Sequence, residues 1–347
     1  MLEVSIYKDF GNFILDLDFV SSDGVLGILG ASGSGKSLSL KCLAGLVKPD
    51  RGRIVLNDRV LFDSQKNINL RPQERKVGFL FQDYALFPHM TVYENIKTAI
   101  RDKKADRDKL VRQKLVELNL EKVKDKLPEQ ISGGEKQRVG LARILVNDAE
   151  LLLMDEPYSA IDGYLRWIIE FDIKNTIEKY KIPTIFVSHD RDEVYRMCDS
   201  IVVMDEGKSE KIKKTKDLFA NPETLAAAEL SGCKNFSNLS YLGNNTYHAD
   251  SWGLDLSLDF YKECDYLGIR SHHIKISEKN LGKNSYKFEL IKEIEELFGY
   301  SLIVKVAGGK DSSKLRIDIE KDKWEKLRKK EDLFFQINQE KLLYLKK

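Results

Sequence analysis

Apolar residues follow two rhythms along this chain. Near the start they alternate: Val4 and Ile6, then Phe13, Leu15, Leu17 and Phe19, with Gly11-Asn12 between the two sets. A period of two marks strands with one buried face, and the glycine-containing break predicts a hairpin. Later runs are apolar without alternation: Val25-Leu26-Gly27-Ile28-Leu29, Leu151-Leu152-Leu153-Met154, Thr184-Ile185-Phe186-Val187 and Ile201-Val202-Val203-Met204. Shorter ones occupy residues 53–56 and 77–81. Such runs suit strands of a parallel sheet covered by helices on both faces. Leu38, Leu40, Leu43 and Leu46 predict a helix stopped by Pro49, and residues 103–126 and 163–181 carry charge-rich helical patterns.

The texture changes after about Ala220. Residues 222–230 predict one more helix. From Ser231-Gly232 onward, short alternating segments such as residues 266–270, 287–290 and 301–306 are separated by Gly, Asn, Ser and Lys. That pattern predicts a small all-β domain, so the expected division is 1–230 and 231–347. His272 and His273 are expected on opposite faces of a strand, which argues against joint metal binding. The Lys-rich stretch 321–330 is expected to be a solvated helix face.

Composition narrows the class. The 347 residues carry 57 Lys+Arg against 55 Asp+Glu, so no basic excess is left for a nucleic-acid backbone. No run approaches the roughly 18–20 apolar residues that span a bilayer, and Met1-Leu2-Glu3-Val4 does not open a secretory leader. A soluble, cytoplasmic chain of two domains is expected. The 4 cysteines (Cys42, Cys198, Cys233, Cys264) form no Cys-x-x-Cys pair, so they read as reduced apolar residues.

The chemistry begins at Gly30-Ala31-Ser32-Gly33-Ser34-Gly35-Lys36-Ser37, a full G-x-x-x-x-G-K-[ST] match between a predicted strand and a predicted helix. Glycines let backbone N–H groups close on phosphate oxygens, and the helix N-terminus adds favourable potential. Lys36 is expected to reach the β- and γ-phosphates and Ser37 to ligate Mg²⁺. The run 151–154 ends in Asp155-Glu156-Pro157, delivering two carboxylates to the edge where open α/β sheets bind ligands. Asp155 is placed to hold Mg²⁺ and Glu156 to polarise an attacking water. Upstream, Ile131-Ser132-Gly133-Gly134-Glu135 opens another helix with bare backbone donors.

These motifs together resemble the ATP-binding subunit of ABC transporters, whose signature is close to L-S-G-G-Q; Ile131 stands here for Leu. By that resemblance the fold is an ABC-type P-loop ATPase with an antiparallel β subdomain and a helical subdomain, followed by a small β-barrel. Gln82 matches the loop glutamine that senses Mg²⁺ and the γ-phosphate, Ser159-Ala160-Ile161-Asp162 the D-loop, and His189 the switch histidine. Phe10 stands where the family stacks an aromatic on adenine, with Tyr7 as a competitor. The resemblance implies a homodimer in which Ser132, Gly133, Gly134, Glu135 and Asp162 of the partner subunit complete each ATP site. Lys36, Glu156 and His189 would be catalytic; Ser37, Gln82 and Asp155 would hold the metal.

The apolar stretch from Gln82 to Val92, with Tyr84, Phe87, Pro88, His89 and Met90, would form the groove for separate permease subunits, which in turn meet a solute-binding protein. That places the chain peripherally at the cytoplasmic membrane face. Residues 231–347 resemble the oligonucleotide-fold-like TOBE regulatory domain of importers, through Leu267-Gly268-Ile269-Arg270 and the residues after it. Residues 56–75 are most similar to molybdate/tungstate-type ATPases, ahead of sulfate/thiosulfate, sugar, iron or polyamine importers. A soluble ABC ATPase of DNA repair would need long coiled coils; only about 95 residues separate the phosphate loop from the signature here, without sustained heptads.

Overall fold

The computed structural model describes residues 1–347 other than 23, 82, 103, 159–162 and 260, and for 163–165 the backbone alone. The chain divides into two compact units, Met1–Lys216 and Asp217–Lys347.

The strands of the first unit are β1 (Leu2–Asp9), β2 (Ile14–Ser21), β3 (Val25–Gly30), β4 (Arg51–Leu56), β5 (Arg59–Asp63), β6 (Ile68–Asn69) and β7 (Val77–Leu80). They continue as β8 (Leu151–Asp155), β9 (Thr184–Val187), β10 (Ser200–Asp205), β11 (Lys208–Ser209) and β12 (Lys213–Lys214). Among the described residues they form one 12-stranded sheet in the order β6-β5-β4-β1-β2-β11-β10-β3-β9-β8-β7, with β12 on β10.

The two rhythms of the sequence separate the two parts of this sheet. β1 pairs antiparallel with β2 and β4, and β2 buries every second residue. β10, β3, β9, β8 and β7 pair in parallel. β3 and β9 are buried from end to end, and β8 as far as Met154. Parallel pairing sends their C-terminal ends, at Gly30, Asp155 and Val187, to one edge. The phosphate loop, Asp155-Glu156 and His189 gather there.

The helices of this unit are α1 (Lys36–Ala44), α2 (Val92–Ala99), α3 (Arg107–Glu117), α4 (Gly133–Leu145), α5 (Gly163–Tyr180) and α6 (Arg191–Met197). α2, α3 and α4 pack on one another. α3 is shorter than the charge pattern predicts, because Asn119 takes a left-handed conformation two residues after its end. At the far end of α1, the fully buried Arg75 donates to the Cys42, Leu43 and Leu70 carbonyls and to Asn69 Oδ1, each at 2.9 Å. Cations stabilise helix C-termini, and this one fastens α1 to the chain around Leu70. No helix among the described residues is long and apolar enough to cross a membrane.

The second unit is built of antiparallel sheets. One runs Asn235–Ser237, Tyr266–Ile269, Leu342–Leu345; another runs Leu239–Gly243, Thr246–Ala249, Leu254–Ser257. The largest joins Lys275–Ser277, Phe334–Gln336, Ser285–Glu295, Gly299–Val306 and Leu315–Glu320. Trp252, Trp324, Phe335 and Leu302 share its core.

Two details differ from the sequence reading. The compact unit begins at Asp217 rather than near 231, because the helix Leu225–Leu230 sets Ala228 against Cys233, Leu343 and Leu345, and the Leu225 N–H donates to the Lys346 carbonyl at 2.8 Å. His272 and His273 lie on a 3-10 turn, Ser271–His273, not on a strand, so their ring centroids come within 4.3 Å instead of facing apart. The Lys-rich stretch does form a helix, Lys321–Leu327, with Lys323 and Lys326 exposed; its inner side buries Trp324, whose indole N–H donates to Glu293 at 2.8 Å.

Candidate active site

β3 carries the chain to the sheet edge at Gly30, where a Cβ would lie 2.4 Å from Ser34 Oγ and 2.6 Å from the Met204 carbonyl oxygen. The loop therefore folds back on its first residue only because that residue has no side chain. Gly35 closes the loop with φ +97, and a Cβ there would meet the Phe13 ring at 2.8 Å. No side chain caps α1 at Gly35, so its first-turn N–H groups face the loop as anion donors. Lys36 Nζ donates to the Gly30 and Ala31 carbonyls at 2.8 and 2.9 Å, spanning the loop. Burial lowers its pKa, opposed by the nearby Glu156 and Asp155 charges.

Ser37 Oγ donates to Asp155 Oδ1 at 2.9 Å, joining the start of α1 to the end of β8. Burial pushes the Asp155 carboxyl upward, and the Ser37 bond opposes it. Glu156 is a non-glycine residue at φ 46. That left-handed conformation costs about 1–2 kcal/mol and persists only where the surroundings impose it. Here the Glu156 N–H still donates to the Val187 carbonyl at 2.9 Å, fixing the backbone to the end of β9 as the chain leaves the strand. Glu156 Oε2 then lies 3.3 Å from Nδ1 of His189. One cleft of about 540 Å³ is lined by Ser32, Gly33, Lys36, Ser37, Glu156 and His189 among others. A second, of about 690 Å³, borders the loop at Ala31–Ser34 and is walled by Phe13 and Ile14 of the hairpin.

Ser132 caps α4. Its N–H and hydroxyl both donate to Glu135 Oε2 at 2.8 Å, and its oxygen accepts the Glu135 N–H at 3.3 Å. Burial pushes the Glu135 carboxyl up, but the Ser132 bonds prevail and hold it below the ordinary value. Gly134 is buried against α5, where a Cβ would come within 2.7 Å of Ile169 Cδ1, while Ser132 and Gly133 stay exposed. Among the described residues, neither cleft beside the phosphate loop is lined by any part of 131–135.

A family model described as ABC transporter matches residues 16–159. A molybdenum import ATP-binding protein of Mannheimia succiniciproducens is 38% identical over 224 residues, 64% of this chain and 62% of that relative's length. A sulfate/thiosulfate import ATP-binding protein of Vibrio cholerae is 33% identical over 297 residues, 83% of this chain and 77% of its own. The chain belongs to the ABC transporter family. A solved ATP-binding cassette, a dimer in a post-hydrolysis state bound to ADP and Pi, superposes with a TM-score of 0.52 at 26% identity, over 62% of this chain and 99% of the cassette. As a member of the ABC transporter family the chain is an ATP-binding, P-loop ATPase chain.

The remaining expected residues of this ABC transporter chain fall in different places. Phe10 is exposed at the hairpin turn, 6.4 Å from the Phe13 ring with Lys8 Nζ 5.7 Å over its face. Tyr7 lies under the Arg51 guanidinium at 4.0 Å. The aromatic that walls the cleft is Phe13, which the sequence reading treated only as strand alternation; its position opposite Gly35 has no sequence signal. Gln82 and Asp162 lie outside the described residues. Beyond Gln82, Tyr84 is buried with its hydroxyl on the Pro157 carbonyl at 3.4 Å, and Gln137 of α4 donates to the same carbonyl at 3.2 Å. Buried Asn95 accepts the Phe87 N–H and donates to the Phe87, Met90 and Thr91 carbonyls. The stretch is thus a braced loop that leaves Phe87, Pro88 and His89 exposed, with Arg143 stacked 4.8 Å over Phe87.

Proposed function

We propose that this chain is the ATP-hydrolysing subunit of an importer, working as a homodimer against separate permease subunits at the cytoplasmic face of the membrane. The observation that carries the reading is the meeting of four groups at one glycine-rich loop: the Ser37–Asp155 hydrogen bond on one side and the Glu156–His189 pair on the other. In this reading, loop N–H groups from Gly30 to Ser37 and the Lys36 ammonium bind the ATP phosphates. Glu156 orients and polarises the water that attacks the γ-phosphorus, and His189 keeps that carboxylate in place.

A hydroxyl and a carboxylate 2.9 Å apart beside a phosphate site form a hard-oxygen donor set that fits Mg²⁺, which takes few protein ligands and completes its shell with phosphates and water. Ser37 and Asp155 would hold it, with Gln82 as the third expected ligand. Bound there, the ion neutralises charge on the phosphate oxygens.

Ser132 to Glu135 supply a second anion-binding helix start, and neither cleft beside the loop includes them. We therefore assign them to the ATP held by the partner subunit, together with Asp162. ATP then stabilises the dimer by mass action, and loss of the γ-phosphate lets it open. Phe10 or Phe13 would pack against adenine. The exposed Phe87–His89 segment would seat the permease, and the unit from about 217 to 347 would regulate.

For the solute, the similarity of residues 56–75 and the Mannheimia relative support molybdate or tungstate. The longer match to the Vibrio relative makes sulfate or thiosulfate the second reading. Reconstitution with the permease and solute-binding protein tests this. Uptake of labelled molybdate should be competed by tungstate; block by sulfate without block by tungstate would reverse the order.

A further inference from the structure

The pairing of His189 with Glu156 depends on how the turn carrying His189 is held, and a buried charged cluster lies directly behind that turn. Both neighbours of His189 are fastened to it. Ser188 Oγ donates to Glu193 Oε2 at 2.5 Å and accepts the Asp190 N–H at 3.0 Å. The Asp190 carboxylate caps α6, accepting from the Asp192 and Glu193 N–H groups. From α5, Arg166 Nη1 reaches Glu193 Oε1 at 3.2 Å and Asp190 Oδ2 at 3.6 Å. Ser188 and Glu193 are almost wholly buried.

Keeping a carboxylate at Glu193 is costly. Burial raises its pKa, and the charges of Asp190 and Glu170 add to that, against the Ser188 hydrogen bond and the Arg166 charge. Breaking such a buried pair costs far more than the pair contributes to stability, so stability alone is a weak reason for its presence. Nor is it needed to dock α5 on α6. One turn further along, Arg196 grips Glu170 with two bonds at 2.8 and 2.9 Å, and Lys174 Nζ donates to the Arg196 carbonyl at 2.9 Å. What Arg166 and Glu193 hold that these do not is the turn itself.

We propose that Arg166 and Glu193 are positioning residues for hydrolysis. They clamp the Ser188-His189-Asp190 turn so that the imidazole stays on Glu156. This rests on the reading of Glu156 and His189 as the hydrolytic pair. A displacement of about 1 Å in such a group costs on the order of 10- to 100-fold in rate.

The test uses the full chain with ATP and Mg²⁺. Arg166→Gln and Glu193→Gln should lower kcat by on the order of 10- to 100-fold with KM for ATP unchanged. Arg166→Lys, which keeps a cation in reach, should recover most of the loss. Among the 5 histidine Cε1–Hε1 signals, the one removed by His189→Gln should shift in Arg166→Gln. Wild-type kcat, an unmoved His189 signal, or a rate loss that only tracks loss of folded protein by circular dichroism without rescue by lysine would overturn the inference. A wild-type rate in His189→Gln would remove the underlying site reading. An impaired His189→Gln beside an unimpaired Arg166→Gln would overturn the clamp alone.

Discussion

Arg75 offers the sharpest energetic forecast, because a fully buried guanidinium here has no carboxylate partner among its described contacts. It donates to four neutral oxygens, on Cys42, Leu43, Leu70 and Asn69. In Arg75→Leu the Cys42 carbonyl keeps the Gly45 N–H at 3.1 Å, and exposed Asn69 can turn to water. The Leu43 and Leu70 carbonyls lose the donor that Arg75 supplies, at about 1–3 kcal/mol each. Against this, the variant no longer buries a cation, the same desolvation that lowers the Arg75 pKa, and that relief offsets part of the loss. The expected net destabilisation is about 3 kcal/mol. Urea unfolding followed by far-UV circular dichroism measures it, and hydrogen exchange should quicken in α1, whose C-terminal carbonyls are affected. An unfolding free energy within about 1 kcal/mol of wild type, with α1 protection intact, would refute the argument that these carbonyls depend on Arg75.

Other expectations follow from single contacts. Ser132→Ala removes the cap of α4 and should cost about 1 kcal/mol of stability, while ATP hydrolysis falls and nucleotide binding to the monomer persists. Parallel loss of binding and hydrolysis would mean misfolding instead. In the second unit, burial first, then the charges of His272, Lys341 and Arg270, press the His273 pKa from 6.5 down to about 4. Folding thus favours the neutral ring, so its contribution is complete above about pH 6.5 and is lost as pH falls towards 4. His273→Gln should flatten the pH dependence of that unit's unfolding across this window, and an unchanged slope would count against the assignment.

The sequence makes legible what depends on neighbours along the chain. Residues 151–154 are apolar on both faces because β8 is flanked by β7 and β9 and covered above and below, and that requirement is written directly into composition. The order of β3, the glycine loop and α1 is visible for the same reason, since the loop must turn tightly between them. Contacts between distant segments leave no such trace. Phe13 reads as one more alternating residue, although its ring lies against Gly35. No local pattern marks Arg75 or Arg166, although one donates to the C-terminal carbonyls of α1 and the other meets Glu193 behind His189. The pair His272-His273 follows an alternating strand, but the 3-10 turn begins one residue before it, and alternation fails there. The junction between units is displaced because a short amphipathic helix does not announce which core it joins; Ala228 finds its partners in Leu343 and Leu345, more than a hundred residues later.

Turnover of ATP by Glu156→Gln tests the central claim most directly. Glutamine keeps the side-chain shape and the backbone bond to Val187 but removes the carboxylate that faces His189. The account predicts steady-state hydrolysis lowered by on the order of 10²- to 10⁴-fold while ATP still binds, with an ATP-dependent dimer accumulating on size-exclusion chromatography. Hydrolysis at the wild-type rate in that variant would contradict it.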